Sequence, residues 1–234
     1  MTTVTSRPQP VPAPTVRQVR RWGLLLGSFA VACLVILALP VPSLGMQVLV
    51  LVVGFSVATV AVARHSGDDM LLRAWGILAA MSVLMVLPDW FLADVLGSIR
   101  FPDTGAPFIG AIPLFMAGMW TIALMPVVLA GLAATMRRGL AASTLVAVLV
   151  GGGIFAAAER LAPGIPLWEA RDVSVVAGVA TYVVIPELVL CAAAFLLVRS
   201  SPVMPRWSVI LCTVLLPFTY TGMLAVSYQF AGDL

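Results

Sequence analysis

Three acidic side chains stand in apolar surroundings. Glu187 lies within TYVVIPELVLCAAAFLLV (181–198), Asp89 within VLPDWFLADVLG (86–97), and Glu159 within FAAAERLAPG (155–164). An ionised carboxylate in hydrocarbon costs at least about 2.5–3.5 kcal/mol on insertion scales. Such a group faces other helices rather than lipid, and desolvation favours its neutral form. A neutral carboxylic acid in a water-poor site is a proton donor, so general acid chemistry is what these residues offer. Pro186 precedes Glu187 and Pro88 precedes Asp89. A proline inside a helix lacks an N–H, so Pro186 is expected to free the carbonyl of Tyr182 and to open a kink beside the acid. Each acid also has a plainer reading. Glu187 would be a protonated packing device, Asp89 a helix-end acid at headgroup level, and Glu159 a partner for Arg160 or water.

The elements that must position these acids follow from composition. The chain has 234 residues, 62% hydrophobic and 10% charged, and contains neither Lys nor Asn. Soluble domains are typically about 25% charged, so a soluble domain is excluded. The net charge of +3 comes from 13 arginines and belongs to the loops of a membrane protein, not to a nucleic-acid surface. Spans of about 20 apolar residues cross a bilayer. Seven are expected, near 22–40, 46–63, 71–97, 108–135, 140–161, 173–198 and 207–230, joined by short loops. The fold class is all-α: one polytopic membrane bundle, 22–234, behind a disordered cytoplasmic tail, 1–21. On these boundaries Glu187 sits about 14 residues into the sixth helix, roughly 20 Å along its axis.

Orientation follows from the arginines. With the N-terminus in the cytoplasm, Arg7, Arg17, Arg20, Arg21, Arg64, Arg73, Arg137, Arg138, Arg199 and Arg206 lie inside. Only Arg100, Arg160 and Arg171 lie outside, so the plasma-membrane topology is N-in and C-out. Asp94, Asp103, Glu159, Glu169, Asp172 and Asp233 fall on or near the outer side.

Other motifs are read more plainly. Cys33, Cys191 and Cys212 lie in apolar runs without ligand spacing and are expected as free core thiols. One histidine, His65, excludes a histidine-rich metal site and reads as an exposed loop residue. Thr213, Tyr220 and Ser227 recur every seven residues on one inward face of the last helix, by function or by helix–helix hydrogen bonding. Gly151 to Gly153 permit close packing or a bend. They form no phosphate loop, since neither a strand nor a Lys accompanies them.

Two parts of the chain echo each other. Asp89-Trp90 is followed by a loop and GAIPLFMAGMW; Glu159-Arg160 is followed by a loop containing Trp168 and then TYVVIPELVLCA. An Ile-Pro pair follows the acid in both. The segment DWFLADVLGSIRFPDTGAPFIGAIPLFMAGMW resembles membrane lycopene cyclases of the heterodimeric or fused carotenoid type. The likeness covers roughly 89–120 and, more weakly, 159–190. Carotenoid hydratases and small integral-membrane terpene cyclases share the same seven-helix character. The chain departs from the cyclases in their Pro-x-Glu-Glu pattern. The first copy reads Pro113-Leu114-Phe115-Met116, and the second keeps one acid, Glu187.

The resemblance implies a two-half membrane scaffold and a lipophilic isoprenoid substrate delivered from the bilayer. Protonation of an alkene or epoxide by Glu187 would start cyclisation or hydration without any cofactor. Asp89 and Glu159 would supply negative charge to the carbocation, and Trp90, Trp120, Tyr182 and Tyr220 would offer π faces. Those aromatics also read as ordinary interface and core residues. Two other functions fit buried acids beside prolines: a proton-coupled small-solute carrier, or a non-catalytic subunit with a membrane partner.

Overall fold

The computed structural model describes residues 11–41 and 43–231. Arg7 and Asp233, used above in the charge asymmetry, lie outside the described residues, as does 1–10 of the expected tail. Seven helices, each long and apolar enough to cross a membrane, make up this part of the chain. They are α1 (Val16–Leu37), α2 (Leu44–Ser66), α3 (Asp69–Val95), α4 (Met116–Ala134), α5 (Leu140–Leu161), α6 (Thr181–Ser200) and α7 (Arg206–Ala231). The chain is a multi-pass membrane protein. Val31, Leu34, Leu149, Ile210 and Phe230 are more than half exposed on the outside of the bundle, where apolar exposure on this scale fits lipid rather than water.

Three boundaries differ from expectation. Helix α1 begins at Val16, so 16–21 are not tail. Thr15 caps it by accepting from the Gln18 N–H, and the Gln18 side chain accepts from the Thr15 N–H in return. This reciprocal box satisfies two helix-end donors. Helices α4 and α6 start later than expected, at Met116 and Thr181 rather than 108 and 173. Short hairpins occupy the difference: β2 (Phe108–Ile109) with β3 (Ile112–Pro113), and β5 (Val175–Val176) with β6 (Val179–Ala180). Each turns through two residues, with Gly110 at φ 62° and the pair Ala177-Gly178 at φ 53° and 85°. Two positive φ angles in succession suit the right-handed twist of a tight hairpin.

A third strand pair joins the halves. β1 (Ile99–Arg100) runs antiparallel to β4 (Glu169–Ala170), with Ile99 opposite Ala170 and Arg100 opposite Glu169. Asp89 and Glu159, like Ile99 and Glu169, are 70 residues apart; corresponding hairpin residues such as Ile112 and Val179 are 67 apart. Helix, strand, hairpin and helix thus recur in the same order, and the β1–β4 register maps onto itself when the halves are exchanged. The Ile-Pro pairs are not the equivalent positions: Ile112-Pro113 lies in β3, Ile185-Pro186 inside α6.

Small residues allow the close helix contacts at the centre. A side-chain carbon at Gly151 on α5 would collide with Cys191 on α6, and one at Gly131 on α4 with Phe195. A side-chain carbon at Gly152 would meet Leu188 of α6 at 3.0 Å and Gly153 has open space, so the triple glycine serves packing at its first two positions, most tightly at the first. At the end opposite the strands, Asp68 caps α3 and accepts from the Leu71 N–H at 3.1 Å, Trp22 Nε1 at 2.9 Å and Gln18 Nε2 at 2.9 Å. This buried carboxylate pins α1 to the bundle. His65 is exposed but belongs to the last turn of α2, not to a loop. The cysteines are free thiols, Cys191 buried and the other two partly so.

Candidate functional site

Helix ends build the site. Asp89 lies in α3 between a break at Met85 and a π-helical turn over Phe91–Val95, where the Leu96 N–H reaches back to the Phe91 carbonyl. Pro88 contributes no N–H there. Such irregular turns re-aim side chains and recur at functional positions. Asp89 is only 3% exposed, so its carboxyl group faces the interior of the bundle. Glu159 belongs to the last turns of α5, and Trp168 to the segment that leads to β4.

Glu187 needs the largest correction. It is in the first turn of the α-helical part of α6, Val184–Ser200, not 14 residues deep. At 1.5 Å per residue it lies about 5 Å beyond Val184. Pro186 is likewise a first-turn proline, where a missing N–H costs nothing, so it makes no mid-helix kink. The residue is still buried, 7% exposed, where α7 packs against the start of α6. The helix amide dipole also presents its positive end there.

Asp89, Glu159 and Glu187 line one cavity of about 360 Å³, together with Trp120, Trp168 and Tyr220. The remaining wall is apolar, from Met116 and Met119 on α4 to Ile154 and Phe155 on α5. Two acids are held by indoles: Trp120 Nε1 donates to Asp89 Oδ2 at 3.1 Å, and Trp168 Nε1 to Glu159 Oε1 at 3.0 Å. Glu187 has no hydrogen-bond partner among the described residues, and it faces the cavity. Trp120 also stacks at 5.5 Å on Phe155, tilted, and at 5.6 Å on Tyr220, edge to face. An aromatic surround therefore stands beside three carboxyl groups. Three negative charges in so apolar a space would repel strongly.

Two expected residues do not join them. Trp90 is 45% exposed and points away, since one residue along a helix turns the side chain by about 100°. Tyr182 is buried, but its hydroxyl pairs with Ser98 Oγ at 2.9 Å and its ring meets Tyr228 edge to face at 5.5 Å. It ties the start of α6 to the loop after α3 and lies outside the cavity wall. On the α7 stripe Tyr220 reaches the cavity. Thr213 bonds its own helix, to the Val209 carbonyl at 2.7 Å. Sequence reasoning missed Phe155 and Trp168 as site residues. Phe155 was readable, because it precedes Glu159 by one helical turn; Trp168 was not, because a loop fixes its direction. No group of three His, Cys, Asp or Glu side chains is placed to hold a metal ion among the described residues.

No curated protein and no solved structure matches the chain. One family model matches residues 86–231, more than half of the sequence, a stretch that contains every cavity residue from Asp89 to Tyr220. On that match the chain belongs to the family described as Domain of unknown function (DUF6989).

Proposed function

We propose that the protein is a membrane enzyme that acts on a lipophilic isoprenoid by acid-initiated, cofactor-independent cyclisation or hydration, in the manner of the lycopene cyclases it resembles. The observation that carries this reading is the joint exposure of three carboxyl groups and an aromatic cluster to one largely apolar cavity. Glu187, unpartnered, is the proton donor. Asp89 and Glu159, each fixed by an indole N–H, are the anions that stabilise positive charge and take the proton back.

The steps balance without a further reagent beyond water. Glu187 gives its proton to one carbon of a C=C bond, whose π pair forms the new C–H bond and leaves a cation on the other carbon. A second double bond of the same chain donates its pair to that cation and closes a ring. The new cation then loses a proton to a carboxylate, so the product is an isomer of the substrate. Where water captures the cation instead, its surplus proton goes to the carboxylate and the product has gained one water. Trp120, Phe155 and Tyr220 offer π faces to the cation. Apart from Glu159, the partly exposed wall residues on these helices, Met119, Ile122, Ala123 and Pro126 on α4 and Ile154 and Ala158 on α5, are apolar. They favour entry of the substrate from the bilayer between these helices and speak against the aqueous route that a proton-coupled carrier needs.

In this reading the protein resides in the plasma membrane with its N-terminus in the cytoplasm, and the cavity lies toward the outer side. Membranes containing the protein, supplied with linear polyprenoids, should yield a product of unchanged mass and altered chromatographic retention, or one heavier by one water. Unchanged substrate across a panel of chain lengths would count against the proposal. A stable complex with a second membrane protein that alone carries the activity would favour an accessory role.

A further inference from the structure

A second site lies at the end of the bundle opposite the strands, on helices that precede the family-matched region. There α1 and α2 border an open groove of about 750 Å³. Arg17 and Arg21 line it from α1, with Leu24 and Leu25 further along the same helix; His65 lines it from α2, with Val62 one turn deeper. The residues on each helix follow three- and four-residue spacing, so each helix presents one face to the groove. Polarity is sorted by depth. Arg17 and Leu24 are about 10 Å apart along the axis, with the cationic end at the rim and the apolar end toward the middle of the helices. No acidic side chain lines the groove among the described residues. Asp68, which touches the same stretch of α1, has both oxygens engaged by Gln18, Trp22 and Leu71. Those bonds also hold α1 against the start of α3, which fixes one wall of the groove.

We infer that this groove binds one anionic phospholipid, its phosphate between Arg17, Arg21 and His65 and an acyl chain along Leu24, Leu25 and Val62. Guanidinium groups pair well with phosphate oxygens, and the wall below them matches a hydrocarbon tail. The bilayer supplies the occupant. The inference is independent of the chemistry proposed for the central cavity.

The test titrates the full-length protein in detergent with phosphatidylglycerol, phosphatidylcholine or inorganic phosphate, and follows retained lipid by native mass spectrometry. Phosphatidylglycerol should be retained in preference to phosphatidylcholine. The double variant Arg17→Gln/Arg21→Gln should bind it about thirtyfold more weakly, at roughly a factor of five per arginine. The double variant Arg137→Gln/Arg138→Gln, whose changes lie outside the groove, should bind it as the wild type does. Equal retention of both lipids by the wild type would overturn the inference, as would an equal loss in both double variants. Displacement of the lipid by inorganic phosphate at matched concentration would also overturn it, by showing a headgroup site that needs no chain.

Discussion

At the scale of single residues, the site rests on a division among three carboxyl groups. Asp89 and Glu159 each accept an indole hydrogen bond, and Glu187 accepts none among the described residues. Removing a donor leaves a buried acceptor unsatisfied, which costs about 1–3 kcal/mol. Trp120→Phe and Trp168→Phe should therefore each lower the melting temperature in detergent, whereas Trp90→Phe should change stability by no more than about 0.5 kcal/mol. Equal effects at all three positions would contradict the assignment of Trp120 and Trp168 as carboxylate partners. The acids themselves were legible in the sequence, because a carboxylate in an apolar run is too costly to be incidental. Trp90 was misread because its neighbour in sequence faces another way on the helix. The indole of Trp168 is placed by a loop, and no spacing rule reports where it points.

At the scale of elements, the starts of α4 and α6 decide where the site lies along the bundle. Both hairpins were read as helix, since a short apolar run has no period that separates strand from helix. The punctuation was present in Gly110 and Ala177-Gly178, but it does not show whether the chain turns back or continues. Starting α6 at Thr181, and its α-helical part at Val184, brings Glu187 from the helix middle to the first α-helical turn, near the strands that join the halves. Ala177 holds a left-handed conformation that favours glycine. Ala177→Gly should be neutral or stabilising, and Gly178→Ala destabilising by about 1 kcal/mol. A reversed order in thermal melts would contradict the hairpin geometry. In α5, Gly151→Leu must displace Cys191 and should cost about 1–3 kcal/mol through overpacking. Gly153→Leu, facing open space, should cost little. Equal costs would remove the packing role of Gly151.

At the scale of the whole molecule, seven helices and their boundaries to within a few residues were legible for α2, α3, α5 and α7, because span length and apolar composition are set by the bilayer. Contacts between distant segments were not: the β1–β4 pair, the Asp68 clasp on α1 and the choice of lining residues depend on how helices dock. The arginine asymmetry predicts that an impermeant thiol reagent added to intact cells labels a cysteine placed at Asp172 but not one placed at Arg138, in a background without Cys33, Cys191 and Cys212. The opposite pattern would invert the topology. The role proposed for Glu187 is to deliver a proton to a carbon of the substrate. The most direct measurement is mass spectrometry of product formed in deuterium oxide by the wild type and by Glu187→Gln. The wild type should place a solvent-derived deuterium on carbon, and Glu187→Gln should lower the rate by about 10²–10⁴-fold while remaining folded. Product without carbon-bound deuterium, or the same labelled product at the same rate from Glu187→Gln, would contradict it.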